Sequence, residues 1–79
     1  MYYVYILKDK TNESLYIGYS NNLDQRLKQH KSIKDRELVY YEAYLSEKDA
    51  RMRERRLKLY GSAWRGLKHR LEDSLKQRA

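Results

Sequence analysis

The chain has no cysteine and no proline. Without cysteine there is no disulfide, no thiolate nucleophile and no zinc site of the finger type, so no disulfide partner is expected and the core alone must hold the fold. Without proline, the chain is punctuated by Gly18, Gly61 and Gly66 and by clusters of Asn, Asp and Ser. Phenylalanine is absent as well, although there are nine tyrosines. A long apolar run is also missing. The stretch MYYVYIL at the start meets Lys8-Asp9-Lys10 far short of a signal peptide's apolar region or a membrane span. The expected location is therefore the cytoplasm, with no membrane partner.

What is present describes a folded basic module. At 79 residues the expectation is one domain over residues 1–79, with 41% apolar and 13% aromatic residues arguing against a disordered tail. A domain near this size hides only about 60% of the surface its unfolded chain exposes, so chemistry should sit in a shallow cleft. The formal charge of +7 is unevenly placed. Up to Asp49 eight basic residues meet eight acidic ones, whereas from Ala50 onward ten basic residues face three acidic. The whole excess lies in the C-terminal helical part and points to a polyanion, with nucleic acid the first candidate.

Periodicity yields the order β-β-α-β-α-α. Tyr2 to Lys8 and Ser14 to Ser20 read as a hairpin around a polar turn. Asn21 or Asn22 caps a helix carrying Leu23, Leu27 and His30, a polar connection runs from Lys31 to Glu37, and Leu38 to Leu45 forms a third strand. Ser46-Glu47-Lys48-Asp49 resembles a capping box opening a helix to about Leu59, with a stop at Gly61. Ser62 caps a last helix through Trp64, Leu67, Leu71 and Leu75. The fold class is α+β, a small sheet flanked by helices.

Several residues could carry chemistry. Eight tyrosines fall in the predicted strands, where most would serve as amphipathic sheet residues with hydroxyls reaching water. Tyr3 and Tyr5 share one face of the first strand. In the second, Leu15, Ile17 and Tyr19 form the buried set, leaving Tyr16 on the face of Gly18, where something can approach the backbone closely. Arg26 and His30 are four apart and leave the same helix face. A guanidinium matches phosphate oxygens, and an imidazole can move a proton near neutrality. Glu54 stands in the stripe Ala50, Glu54, Leu57 where an apolar residue is expected. A lone carboxylate there suffices for Mg²⁺, which keeps most of its waters and shares substrate phosphate.

These segments resemble the GIY-YIG endonuclease family in its short single-domain form: YVYIL (Tyr3 to Leu7), LYIGYSNNLDQRLKQH (Leu15 to His30) and ARMRERRLK (Ala50 to Lys58). The resemblance implies a three-stranded antiparallel sheet flanked by helices and hydrolysis of phosphodiester bonds, in DNA more than RNA, with Mg²⁺ or Mn²⁺. By position it makes Tyr5, Tyr16, Arg26 and His30 catalytic and Glu54 the metal ligand. Arg51, Arg53, Arg55, Lys58, Arg65 and Lys68 would track the nucleic-acid backbone. Tyr3 stands where the first motif has glycine, and Asp73 is the candidate for the family's late asparagine. A phenol titrates near 10, so a tyrosine base needs nearby positive charge; either Tyr5 or Tyr16 could serve, with Tyr16 favoured and Tyr5 orienting. The alternative is a nucleic-acid-binding module of the same fold without useful turnover.

Overall fold

The structure, a computed structural model, describes residues 1–31 and 35–76, the side chains of His30 and Lys31 excepted. The apolar run at the N-terminus becomes β1 (Tyr2–Asp9), the middle strand of an antiparallel sheet of order β2-β1-β3, with β2 at Leu15–Ser20 and β3 at Arg36–Tyr44. Helices α1 (Leu23–Lys31), α2 (Glu47–Leu59), α3 (Gly61–Arg70) and α4 (Glu72–Lys76) complete the α+β architecture.

A central strand buried on both faces needs apolar residues at odd and even positions alike, which is why this run does not alternate with polar residues. Val4 and Ile6 face one layer and pack with Ala50 and Leu57 of α2 and Leu67 of α3. Tyr5 and Leu7 face the other and pack with Leu23 and Leu27 of α1. Helices therefore cover both sides of the sheet.

Local chemistry explains the joints. Between β1 and β2, Thr11 N–H donates to Asp9 Oδ1 and Ser14 N–H to Asn12 Oδ1, both at 2.9 Å, while Glu13 takes a positive φ of 62°. Asn22 caps α1, its Oδ1 accepting from Gln25 N at 3.1 Å. Ser46 caps α2 as expected, its Oγ accepting from Asp49 N at 3.2 Å.

Three boundaries differ from the sequence reading. The third strand starts at Arg36 rather than Leu38 because Arg36 and Glu37 lie opposite Asp9 and Lys8, and pairs of opposite charge extend the ladder, with a register shift between Ile6 and Leu7. Gly61 begins α3 rather than ending a helix, and Tyr60, extended at φ −109° and ψ 108°, serves both as C-cap of α2 and as N-cap of α3, displacing Ser62. The last helix is divided at Leu71, after which Glu72 and Asp73 supply the acidic first turn that a helix N-terminus favours. Lys8 is buried, and its Nζ donates to the carbonyl of Leu75 at 2.6 Å, a cation at the C-terminal end of α4.

A polar cluster ties β3 to α2. Glu42 accepts two hydrogen bonds from Arg53 Nε, at 3.1 and 3.3 Å, and one from Arg53 Nη2 at 3.1 Å. It also accepts from the hydroxyls of Tyr40, at 2.6 Å, and Tyr44. Burial alone would raise the Glu42 pKa, but these donors outweigh it and hold the carboxyl below its usual range. The same burial, reinforced by the Glu42 hydrogen bonds, pushes both phenols up to about 12. Three of the strand tyrosines thus donate their hydroxyls to glutamate, the third being Tyr19, which donates to Glu47 Oε2 at 2.7 Å. Phenylalanine could fill these places but could not satisfy the carboxylates.

The folded chain holds the Tyr40 and Tyr44 protons more tightly than the unfolded chain. Their contribution is complete below pH 10 and is lost as pH rises toward about 12. Thermal unfolding across pH 9 to 12 should show this decline, and Tyr40→Phe and Tyr44→Phe should each flatten it while lowering stability at pH 7 by about 1 kcal/mol.

Candidate functional site

Tyr5 is the anchor of the site. It lies in β1 directly opposite Gly18 of β2, is 4% exposed, and its ring crosses the bare backbone of that glycine. A Cβ on residue 18 would sit 2.3 Å from Tyr5 Cζ and 2.4 Å from its hydroxyl oxygen. The close approach foreseen at Gly18 is therefore made by the protein's own tyrosine. Gly18 has no positive φ, so clearance rather than backbone conformation is what the position requires. The ring carries the phenol from the central strand out over the edge strand.

There the phenol feels charge from both helical layers. Burial raises the Tyr5 pKa, Arg26 of α1 opposes that rise and Glu54 of α2 adds to it. The structure thus brings Arg26 and Glu54 each within electrostatic reach of the Tyr5 phenol, although the three come from α1, α2 and β1. Arg26 is exposed, as a residue meeting an external anion must be. Glu54 has a side chain 22% exposed, between the fully buried Ala50 and Leu57, and its Oε2 pairs with Lys58 Nζ at 3.2 Å.

Tyr16 is on the same sheet face as Tyr5 and Gly18, two register positions along, opposite Leu7. It is exposed, and the guanidinium of Arg36 lies over its ring with Cζ 4.1 Å from the centroid. The side chain of His30 lies outside the described residues. Asp73 is exposed in the first turn of α4.

The expected backbone-tracking cations divide into two groups. Arg53 turns inward to Glu42 with a side chain 27% exposed, so it belongs to the polar cluster rather than to the outer basic surface. Its place was legible, since residues 50, 53, 54 and 57 share the core-facing side of a helix. Arg51 and Arg55 are exposed beside a shallow depression of about 410 Å³ that also involves Met52. Arg51 stacks on Tyr19 at 4.4 Å and pairs with Glu47. Arg65 is exposed, and Lys68 stands 5.5 Å over the Trp64 ring. Arg36 is the residue the sequence reading missed, having been assigned to a polar connection. Only the strand register reveals that it faces Tyr16.

Among the described residues no three His, Cys, Asp or Glu side chains form a group that could hold a metal ion. A metal at this site would have Glu54 as its protein carboxylate, with water and substrate supplying the rest. That hard oxygen donor set suits Mg²⁺ or Mn²⁺ and would not suit a zinc site.

A buried tyrosine across a glycine, with an arginine and a partly buried glutamate acting on its phenol over a three-stranded sheet, is the arrangement to set beside known families. The GIY-YIG catalytic domain model matches residues 1–68, and the chain belongs to that family. Asp73 lies beyond the matched segment. The chain is 44% identical over 63 residues to the UPF0213 protein CPE1444 of Clostridium perfringens, covering 68% of this chain and 67% of that protein. It is 35% identical over 66 residues to the UPF0213 protein OB0043 of Oceanobacillus iheyensis, covering 72% and 76% respectively. No solved structure matches it. The family is one of nucleases, which generally use divalent metals and act on nucleic acid. Among the described residues no helix is long and apolar enough to cross a membrane.

Gly18→Ala tests the site's central contact. The Tyr5 ring is too buried to yield, so the variant should lose about 1 to 3 kcal/mol of stability from overpacking. Denaturant unfolding reads that loss, and a stability within 0.3 kcal/mol of the parent, a roughly neutral result on the scale of surface substitutions, would count against the packing described.

Proposed function

We propose that the protein is a metal-dependent endonuclease that hydrolyses phosphodiester bonds in nucleic acid, DNA more than RNA, with residues 1–79 acting as one domain. The observation that carries this reading is the convergence of Arg26 and Glu54 on the buried phenol of Tyr5. Phosphodiester hydrolysis needs a cation for the charge that builds on the phosphoryl oxygens, a group to orient water and a group to take its proton.

Arg26 is the cation. It is exposed, always charged and able to present two parallel N–H donors to phosphate oxygens. Tyr5, its pKa raised by burial, keeps its proton and so donates a hydrogen bond, which orients water or a phosphate oxygen. Tyr16, more exposed on the same face, accepts the proton of the attacking water. As the water oxygen bonds to phosphorus, the bond from phosphorus to the leaving sugar oxygen breaks, and that oxygen takes a proton from solvent to leave as a hydroxyl. Glu54 would hold Mg²⁺ or Mn²⁺, which when bound supplies Lewis acidity toward the phosphate. Lys58 currently shares the Glu54 carboxylate and keeps its charge compensated. The exposed cations Arg51, Arg55 and Arg65, with Lys68, offer a sequence-blind surface for the backbone.

The test uses labelled single-stranded, duplex and branched DNA together with RNA, incubated with Mg²⁺, Mn²⁺ or a chelator. Cleavage should require the metal. Glu54→Ala and Arg26→Ala should each reduce it by about 100-fold or more, the scale of losing one electrostatic stabiliser. Absence of cleavage, or equal cleavage by both variants, would sink the reading. Strong salt-sensitive binding without cleavage would identify a binding module instead.

A further inference from the structure

Arg36 makes a contact that sheet geometry does not require. It belongs to β3 and Tyr16 to β2, the two edge strands on either side of β1. The Arg36 and Tyr16 side chains together therefore bridge about two strand spacings, roughly 10 Å, with the guanidinium laid on the Tyr16 ring. The path crosses Leu7, which is opposite Tyr16 on one side and Leu38 on the other and is 1% exposed. The other charged group acting with it is Asp9, opposite Arg36 in the ladder, whose carboxyl is held low mainly by Thr11 hydrogen bonds and to a lesser extent by Arg36.

Stability does not account for this arrangement. Arg36 Nε is buried and finds no hydrogen-bond acceptor among the described residues, a deficit of about 1 to 3 kcal/mol for an orphaned donor. An apolar side chain would cover Leu7 without that penalty. What arginine adds is a flat, permanently positive face against an aromatic ring on the same sheet face as Tyr5 and Gly18.

We infer that Arg36 is a positioning residue for Tyr16: it clamps the exposed ring in one orientation and keeps a positive charge beside the phenol during proton transfer from water. This rests on the nuclease reading above and adds to it a residue from β3. The clamp also explains how an edge-strand tyrosine that is 37% exposed can hold one geometry.

A double-mutant cycle on metal-dependent cleavage of a labelled DNA oligonucleotide tests the assignment. Arg36→Met keeps an unbranched apolar stem and removes the charged guanidinium, and should lower kcat by about tenfold with KM unchanged, as loss of orientation does. Arg36→Lys should recover part of that loss. In the Tyr16→Phe background, Arg36→Met should change kcat by less than about twofold, since the two residues act as a unit. An equal tenfold loss in that background, or a loss expressed only in KM, would show Arg36 acting on the substrate independently of Tyr16 and overturn the inference. NMR supplies a readout independent of turnover: the Arg36 side-chain protons should be shifted upfield by the Tyr16 ring current and return to ordinary positions in Tyr16→Leu. If no such shift exists the clamp is absent. Wild-type protein that cleaves nothing, or cleaves equally well as Glu54→Ala, defeats the nuclease reading itself and the catalytic part of this inference with it. Cleavage that depends on Glu54 but not on Arg36 defeats the inference alone.

Discussion

The ring of Tyr5 lies against the bare backbone of Gly18, and much of the site follows from that contact. A side chain on the neighbouring strand would hold the ring back over β1, between the sheet and α1. With the glycine in place, the phenol extends across the edge strand, where Arg26 and Glu54 both influence it. One missing methyl group thereby joins two helical layers that the sheet otherwise separates. The contact also fixes the role of β1, whose four fully covered residues Val4, Tyr5, Ile6 and Leu7 anchor both cores.

The rest of the sheet is organised by carboxylates that tyrosines and arginines share. Glu42 gathers Arg53, Tyr40 and Tyr44, and Glu47 gathers Tyr19 and Arg51. In a chain without cysteine or proline, these directed contacts add specificity that apolar packing alone does not provide, because each donor must meet its acceptor with the strands in register. They also reduce the basic surface, because Arg53 is committed to the fold. Arg51, Arg55 and Arg65 stay exposed on α2 and α3, on the sheet face opposite α1. The site draws Glu54 from that layer and Arg26 from the other, so it stands at the edge where the basic surface ends.

The sequence by itself determined the α+β class, the hairpin, the helices capped within Asn21-Asn22 and at Ser46 and the grouping of Tyr16 with Gly18, because each depends on local periodicity or on hydrogen bonds a few residues apart. Glu54 was legible for the same reason, as an acid interrupting an apolar stripe. Tertiary structure decided what depends on partners distant in the chain. Arg36 and Glu37 look like a polar connection until Asp9 and Lys8 are placed opposite them. Lys8 is a strand residue without a visible partner until the Leu75 carbonyl receives it. Gly18 announces that something comes close, but only the pairing of β1 with β2 shows that Tyr5 does so. Arg36 reaches Tyr16 across a strand that lies between them in space and far from either in the chain, and no local pattern encodes that span.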